Sequence, residues 1–569
     1  MTDNANKQIL IIGGVAGGAS VAARMRRLDE HADITMLERG RDVSFSNCAL
    51  PYFLGGEIAD SDTLKLMDPQ TFWDSYRVRA LTHHEALAIN RAEKTVQVKN
   101  LQTGEMLDLS YDTLFLSPGA SPILPPAIPG IRLPHVFSVR NVEDVEGIAR
   151  YLSEQKVQKV AVIGGGFIGI EVMENLVEKG LKVSVIDMAP QVMLPFDQDM
   201  AQFLHKEIID HGVELILDDC LDSIQEDGVT LRSGRQVPAQ AVIMAIGVRP
   251  EIGLAQDAGL TIGDTGTIAV NQMMQTSDPA IFAVGDAVEV SHFQTRQKTK
   301  LALAGPALKQ GRVAANTATG HPELVPGVLG ASVLRVFSLN AASVGLNERQ
   351  CQAEGLKYQV AFVVPTDKVG IMPGASPVFF KLIYETGSSL VLGAQAVGQG
   401  AVDKRIDVIA TLLRFKGSIV DLKDLELCYS PVFGTARDVV NMAGLAACNL
   451  SDGLVRQVMF TDIRRLVEEG AVIIDVREED EYALGHIKGA INIPLSRLRD
   501  RLEDIPRDVP LYLHCRSGQR SYNAARALMQ RGFREVYNIA GSFVALSWYE
   551  YYTDRTLGRE PIVTAYNFE

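Results

Sequence analysis

The chain has 569 residues, about four domains' worth at roughly 150 residues each, which excludes a single compact core. Apolar residues make up 47% and charged residues 22%, an ordinary globular mix and not a disordered one. With 55 Lys and Arg against 69 Asp and Glu the formal charge is −14, which argues against a nucleic-acid partner and obliges any anionic substrate to find a local basic pocket. Six cysteines cannot form a disulfide framework in this length and suggest a reducing compartment. The first residues carry an acid, Asp3, before the short run Ile9–Ile12, unlike a signal peptide, and no apolar run approaches the ~20 residues that span a bilayer. The expectation is a soluble, cytoplasmic protein. His83-His84 lacks nearby acids in ligand spacing, so no metal site is expected.

The run Ile9-Leu10-Ile11-Ile12 reads as a buried parallel strand. Gly13-Gly14-Val15-Ala16-Gly17-Gly18 follows, then a helix over 19–28 and a strand over 34–37 ending at Glu38. The same unit recurs at 160–163, with Gly164-Gly165-Gly166-Phe167-Ile168-Gly169, a helix over 170–179, and a strand over 183–186 ending at Asp187. A pyrophosphate needs backbone N–H donors at a helix start and no side chain in the way, hence glycines at fixed spacing, with an acid about twenty residues on for the ribose hydroxyls. Gly164, Gly166, Gly169 and Asp187 meet this fully. Gly13, Gly17, Gly18 and Glu38 meet it less well, because Val15 takes the second glycine position. An acid at 187 disfavours the 2′-phosphate of NADP, so NADH is favoured over NADPH.

Ser117-Pro118-Gly119-Ala120-Ser121-Pro122 and Pro125-Pro126 mark a crossing between domains. A third region, about 327–448, mixes a strand at 378–383 with a helix near 403–415. The stretch 449–456 reads as a linker, and a fresh pattern begins near Val458, with strands at 472–475 and 511–514 and a helix over 521–531. Val284-Gly285-Asp286-Ala287 ends one late strand, and Ile246-Gly247-Val248-Arg249-Pro250 follows another.

These late motifs, with the two glycine turns, resemble the flavoprotein disulfide reductases that bind two dinucleotides; the resemblance covers about residues 7–448. It implies FAD at Gly13, Gly17, Gly18, Glu38, Arg39 and Asp286, with Asp286 on the ribityl chain, and NAD(H) at Gly164, Gly166, Gly169, Asp187 and Gly247. The segment Ser44-Phe45-Ser46-Asn47-Cys48-Ala49-Leu50-Pro51-Tyr52 has no second cysteine nearby, the next being Cys220. A lone redox thiol must form a mixed disulfide with substrate or a sulfenic acid, and needs its thiolate stabilised by a neighbouring flavin or helix N-terminus. Outside such a motif Cys48 would read as an inert buried cysteine.

The segment resembles the coenzyme A disulfide reductase branch, which implies coenzyme A contacts at Ser20, Arg24, Arg27, Ser44, Asn47 and Arg437, and a tyrosine from the partner subunit, here Tyr429, beside flavin and thiol. The arginines of the first helix would otherwise be a solvated face, and Tyr429 core. Ile371-Met372 stands before Pro373-Gly374 where the family often has a tyrosine pair, leaving room for a sulfur substrate other than coenzyme A disulfide. Ala16 to Ala19 contain no histidine of the kind that supports a sulfenic acid in the peroxidase and oxidase relatives.

His514-Cys515-Arg516-Ser517-Gly518-Gln519-Arg520-Ser521 lies between an apolar strand and a helix, an anion nest aimed at the thiol, and Arg516 and Arg520 add positive charge that favours a Cys515 thiolate. It resembles the rhodanese active loop, supported by Asp475-Val476-Arg477-Glu478 and Gly485-His486-Ile487-Lys488-Gly489-Ala490 over about residues 457–569. The cradle is one residue shorter than that of the related phosphatases and suits a terminal sulfur, a cysteine persulfide. Cys220, Cys351, Cys428 and Cys448 have no such setting.

The expectation is an α/β chain with two Rossmann-type dinucleotide-binding domains, an α+β dimerisation domain and a C-terminal α/β rhodanese domain. The FAD-binding domain falls at 1–113 and 246–326, the NAD(H)-binding domain at 114–245, the dimerisation domain at 327–448 and the rhodanese domain at 457–569. The whole resembles coenzyme A disulfide reductase–rhodanese fusions, including NADH-dependent persulfide reductases. The implied activity is reduction of persulfides, polysulfides or coenzyme A disulfides by NADH through FAD and Cys48, with Cys515 relaying sulfur and coenzyme A as substrate or bound group, in a homodimer. Two alternatives stay open: an NADH oxidase or peroxidase using a Cys48 sulfenic acid, and a non-catalytic sulfur carrier or redox sensor.

Overall fold

The first apolar run is a central strand. In the computed structural model, which describes residues 6–568, β1 (Gln8–Ile12) turns into α1 (Ala16–Leu28) and returns to β2 (Asp33–Leu37). β3 (Val78–Leu81) pairs in parallel with β2, and β4 (Thr113–Leu116) in parallel with β1. Cys48 lies on a short turn before α2 (Leu50–Gly55). A second parallel sheet follows, built from β5 (Val136–Ser138), β6 (Lys159–Ile163), β7 (Lys182–Ile186) and β8 (Ala241–Met244), in the order β7-β6-β8-β5. Here α3 (Val142–Glu154) follows β5, and α4 (Phe167–Glu178) joins β6 to β7. β9 (Ile281–Ala283) then returns beside β4 in the first sheet. The strands β1, β4, β6, β8 and β9 are buried almost throughout, because both faces of each sheet are covered there.

Both Rossmann helices begin three residues earlier than the sequence suggests. Glycine is a poor helix former, which argues for a start after the last glycine. Backbone packing overrides this: a Cβ on Gly18 would lie 1.8 Å from Gly13 O, and one on Gly169 would lie 1.9 Å from Gly164 O. The helix start needs glycine so that it can press against its own strand.

The chain divides into two units, the residues up to Met188 with Asp219–Leu329, and Ala189–Asp218 with the residues from Gly330 onward. Ala189–Asp218, inside the expected 114–245, therefore groups with the third and fourth regions. It carries α5 (Gln198–Asp210). The second unit holds an antiparallel sheet of β10 (Ser332–Val336), β11 (Leu339–Gly345), β12 (Tyr358–Val363), β13 (Val378–Glu385) and β14 (Val391–Gly398), in the order β10-β11-β14-β13-β12. β13 alternates between two buried faces. Phe379 stacks on Phe203 of α5 at 4.2 Å, while Tyr384 donates to Ala447 O of α7 (Val439–Ser451) at 3.3 Å. α6 (Val402–Arg414) packs on β11 and β14.

The expected linker 449–456 is mostly structured. α7 runs to Ser451, Gly453 adopts φ +67 to end it, and Leu450 packs against the core of the last region. That region holds a parallel sheet of β15 (Arg456–Met459), β16 (Val472–Asp475), β17 (Ile491–Asn492), β18 (Leu511–His514) and β19 (Val536–Ala540), in the order β15-β19-β18-β16-β17. α8 (Gln519–Gln530) follows β18, and α9 (Ser542–Leu557) follows β19. Phe203 of α5 meets Phe460 at 6.0 Å and Trp548 of α9 at 6.4 Å, so an aromatic cluster ties α5 to this last sheet. No helix among the described residues is long and apolar enough to cross a membrane.

Candidate active site

The two glycine loops are built alike. Gly13 N–H donates to Leu37 O at 2.8 Å, and Gly164 N–H to Ile186 O at 2.8 Å. Gly14 N–H donates to Glu38 Oε2 at 2.9 Å, and Gly165 N–H to Asp187 Oδ2 at 2.6 Å. Each acid thus stands over its own glycine turn. No atom lies near the point where a Cβ on Gly166 would sit, so a ligand can approach the backbone there. Val15 occupies the matching place in the first loop.

Above the first loop opens a cleft of about 720 Å³, lined among others by Gly13, Gly17, Glu38, Arg39, Arg140 and Asp286. Its size falls within the range of ligand pockets. A Cβ on Gly17 would sit 2.5 Å from Ser117 Oγ, so the crossing segment Ser117–Pro122 closes one wall in close contact with the first loop. Arg39 pairs with Glu251 at 3.3 Å. Burial and Arg39 hold Arg140 below the ordinary guanidinium range, while the carboxylates of Glu251, Glu38 and Asp286 oppose that shift. Burial pushes the Asp286 carboxyl up, and Arg140 opposes it. Backbone N–H groups at a helix start, a strand-end carboxylate and a half-buried arginine match the pyrophosphate and ribose of a dinucleotide such as FAD.

Cys48 is solvent-accessible, yet its surroundings desolvate the thiol and push its pKa up, with the carboxylates of Glu171 and Asp286 adding to the rise. The side chains near Cys48 thus disfavour its thiolate, leaving its stabilisation to the flavin or helix N-terminus expected from the sequence. α2 packs on α4, which brings Glu171 towards the thiol. Burial, then Glu174, lift the Glu171 carboxyl to about 7. Glu171 therefore carries a charge above neutrality and loses it below. Glu171→Gln removes a like charge that disfavours the thiolate, so the alkylation profile of Cys48 by iodoacetamide should move to lower pH, with a rate at pH 7.5 about threefold higher. An unmoved profile would refute this coupling.

Ser20, Arg24 and Arg27 lie on one side of α1. Ser20 Oγ donates to Leu308 O at 3.2 Å, Arg24 Nε to Asn316 Oδ1 at 2.7 Å, and Arg27 lies over the Tyr76 ring at 5.5 Å. Arg24 and Arg27 have no ion-pair partner among the described residues, so both cations remain available to an anion. Arg26 between them is buried and donates to the carbonyls of Asp29, Glu30, Ala32, Tyr76 and Arg77. Asn47 lines the cleft, and Ser44, at φ +46, donates its N–H to Gly14 O at 2.8 Å. Gly247, at φ +113, follows β8 and accepts from Ile123 N–H at 3.0 Å.

Tyr429 and Arg437 belong to the second unit, on an exposed segment without helix or strand. The segment is tied at Asp438, which pairs with buried Arg405 at 3.0 Å. Arg405 also donates to Asp367 O at 2.7 Å, at the base of the loop that exposes Ile371.

Cys515 ends β18 and is buried. Gly518, at φ +108, aims its N–H at Cys515 Sγ at 3.2 Å, and Ser521 Oγ lies 3.5 Å from the same sulfur. Cys515 N–H donates to Ser542 Oγ at 3.2 Å, which pins the loop to the start of α9. Arg520 faces the Cys515 thiol and is also held by both oxygens of Glu481, at 2.6 and 2.7 Å, so its charge is shared between the cradle and that carboxylate.

Three regions match known families: pyridine nucleotide-disulphide oxidoreductase at residues 7–311, its dimerisation domain at 332–439, and a rhodanese-like domain at 460–547. The chain belongs to the pyridine nucleotide-disulphide oxidoreductase family. The coenzyme A disulfide reductase of Staphylococcus haemolyticus is 32% identical over 445 residues, 78% of this chain and 100% of that protein. The crystal structure of reduced Bacillus anthracis CoADR-RHD is 45% identical, with a TM-score of 0.92 over 96% of this chain and 98% of its own. The NAD-dependent persulfide reductase from A. fulgidus is 35% identical, with a TM-score of 0.89 over 95% of this chain and 99% of its own. This member of the family is an oxidoreductase with a rhodanese domain.

Three residues of this oxidoreductase escape a reading by motif. Arg140 follows a short strand with no glycine signature to flag it. Glu171 lies two positions beyond the last glycine of its turn, but only the folded chain sets it against Cys48. Glu481 sits in a helix far from the rhodanese loop in sequence, and nothing in its local pattern announces Arg520 as its partner.

Proposed function

We propose that this oxidoreductase uses NADH and FAD to reduce sulfane sulfur and coenzyme A disulfides at Cys48, with sulfur loaded on Cys515. The observation that carries this is a single thiol beside a dinucleotide cleft, on a chain with a second thiol in its own N–H cradle. FAD at Gly13, Gly17, Gly18, Glu38, Arg39 and Asp286 would supply two-electron exchange between nicotinamide and sulfur. Gly164, Gly166, Gly169 and Gly247 would seat NADH, and the Asp187 carboxylate would repel a 2′-phosphate. Arg24, Arg27, Ser20, Ser44 and Asn47 would hold coenzyme A phosphates, with Arg437 and Tyr429 supplied across a homodimer by the dimerisation domain. This division assigns 1–113 and 246–326 to FAD, 114–245 to NAD(H), 327–448 to dimerisation and 457–569 to the rhodanese. Six free cysteines suit a reducing cytoplasm.

The Cys48 thiolate attacks the sulfane sulfur of a persulfide; the S–S bond breaks, a thiolate leaves, and Cys48 carries the sulfur as a persulfide. With coenzyme A disulfide the same attack leaves Cys48 joined to one coenzyme A and releases the other as thiolate. Tyr429 would donate a proton to the leaving sulfur. Cys515 would take sulfur from a donor in the same way, assisted by Gly518, Arg516 and Arg520.

Anaerobic stopped-flow of the NADH-reduced enzyme tests the proposal. A thiol persulfide or coenzyme A disulfide should reoxidise the flavin over many turnovers. Equal turnover with oxygen or peroxide alone would favour the oxidase reading, and Cys515 persulfidation with negligible NADH consumption would favour a carrier.

A further inference from the structure

The rhodanese loop holds a charge arrangement that bears on which donor it accepts. A cradle that takes sulfur from an anion is expected to keep its cations free for that anion, as paired charges attract little. Here Arg520, beside the Cys515 loop, is gripped by both carboxylate oxygens of Glu481. Both side chains are about one-third exposed, at 34% and 31%, and Arg520 also meets the Cys515 thiol, so the pair adjoins the cradle. Glu481 also accepts from Glu478 N–H at 3.3 Å, which fixes it to the start of its own helix. The Arg520 hydrogen bonds pull the Glu481 carboxyl below its usual range, which favours its charged form.

We propose that Glu481 is a specificity-determining residue of the rhodanese site: by neutralising Arg520 it selects thiol persulfides over dianionic donors such as thiosulfate. The inference rests on the reading of Cys515 as the sulfur-accepting thiol. Both reactions balance. With a thiol persulfide, the Cys515 thiolate attacks the terminal sulfur, the S–S bond breaks, and a monoanionic thiolate leaves. With thiosulfate, the thiolate attacks the sulfane sulfur and sulfite leaves as a dianion. In each case one S–S bond forms, one breaks, and Cys515 ends as a persulfide anion. The two donors differ by one negative charge on the donor and the departing group, and both react at a thiol whose neighbouring Arg520 is bound to Glu481. A carboxylate beside that cation disfavours the dianion more than the monoanion, and a cation shared with Glu481 compensates less.

The test compares sulfur transfer to cyanide from thiosulfate and from 2-hydroxyethyl persulfide, the persulfide of an uncharged thiol, by full-length holoenzyme. Glu481→Gln should raise the ratio of kcat/KM for thiosulfate to that for the persulfide by about fivefold, the scale of one nearby charge. In an Arg520→Met background the same change should shift the ratio less, because the pair acts as a unit. A Glu481 that only props up the loop would lower both rates together and leave the ratio unmoved, overturning the proposal. Glu481→Asp should restore the wild-type ratio if the charge matters. NADH-dependent reduction of coenzyme A disulfide reports that the first unit is intact. If Cys515→Ser transfers sulfur as fast as wild type, it is the reading of Cys515 that fails; if only the Glu481 ratio stays flat, it is the specificity assignment alone.

Discussion

Cys48→Ser should abolish NADH-dependent reduction of persulfides and coenzyme A disulfides, lowering kcat by about a thousandfold or more. A hydroxyl cannot exchange with a disulfide, because its alkoxide is inaccessible near neutrality and an S–O bond is no substitute for S–S. NADH should still bleach the yellow chromophore of the variant at the wild-type rate, since Cys48 is no part of the second glycine loop. Anaerobic single-turnover absorbance separates the two half-reactions. Retention of more than a tenth of wild-type turnover would show that sulfur is reduced elsewhere. Thiosulfate:cyanide sulfur transfer should survive in the same variant, because Cys515 is the thiol proposed for that chemistry.

The second large effect is on stability. Lys381 is fully buried in β13, with Asp199 at 2.8 Å, Asp197 at 3.0 Å and Glu348 at 2.5 Å. Lys381→Met fits the strand sterically but leaves three carboxylates facing one another, two of them largely out of water. Removing one partner of a buried ion cluster costs about 3–5 kcal/mol. Asp199 already has its carboxyl pushed up by burial, against the pull of Lys381. Without the lysine the folded-state values of these acids rise further above their unfolded ones. Protonation then favours the folded state, so the stability remaining in the variant is fully present below the unfolded carboxylate range and is lost as pH rises through the folded values. Lys381→Met should therefore lose more stability at pH 8 than at pH 5, read by urea unfolding through Trp548, which packs on the same helix. Equal losses at both pH values would mean the carboxylates are not held charged by Lys381. Adding Asp199→Asn should recover part of the loss.

Much of the site is legible because its chemistry is local. A pyrophosphate needs a strand, a turn that only glycine permits and a helix start within one short stretch, and that requirement shows directly in Gly164 to Gly169. The Cys515 loop is legible for the same reason. Val15 obscures the first turn, yet the structure shows why it does little harm: Gly13 and Gly18, which make the backbone contact, are kept. The helix starts were misplaced because glycine's intrinsic cost is local, while the contact that outweighs it is made with the preceding strand. Arg26 shows the limit of reading charge as surface. It sits between two arginines with free charge, and it is buried because five carbonyls converge on it from separate segments.

By itself, the order of residues determined that the protein carries two dinucleotide loops, a lone thiol after the first, an interface region and a second thiol in a rhodanese loop, since each is written in contiguous spacing. Only the tertiary structure decided the electrostatics: that carboxylates lie near Cys48, that Glu481 holds the Arg520 that faces Cys515, that Lys381 lies inside the sheet with three acids, and that α5 joins the second unit. Charge acts through space and falls off with distance, not with sequence separation, so these pairings have no period or motif from which they could be read.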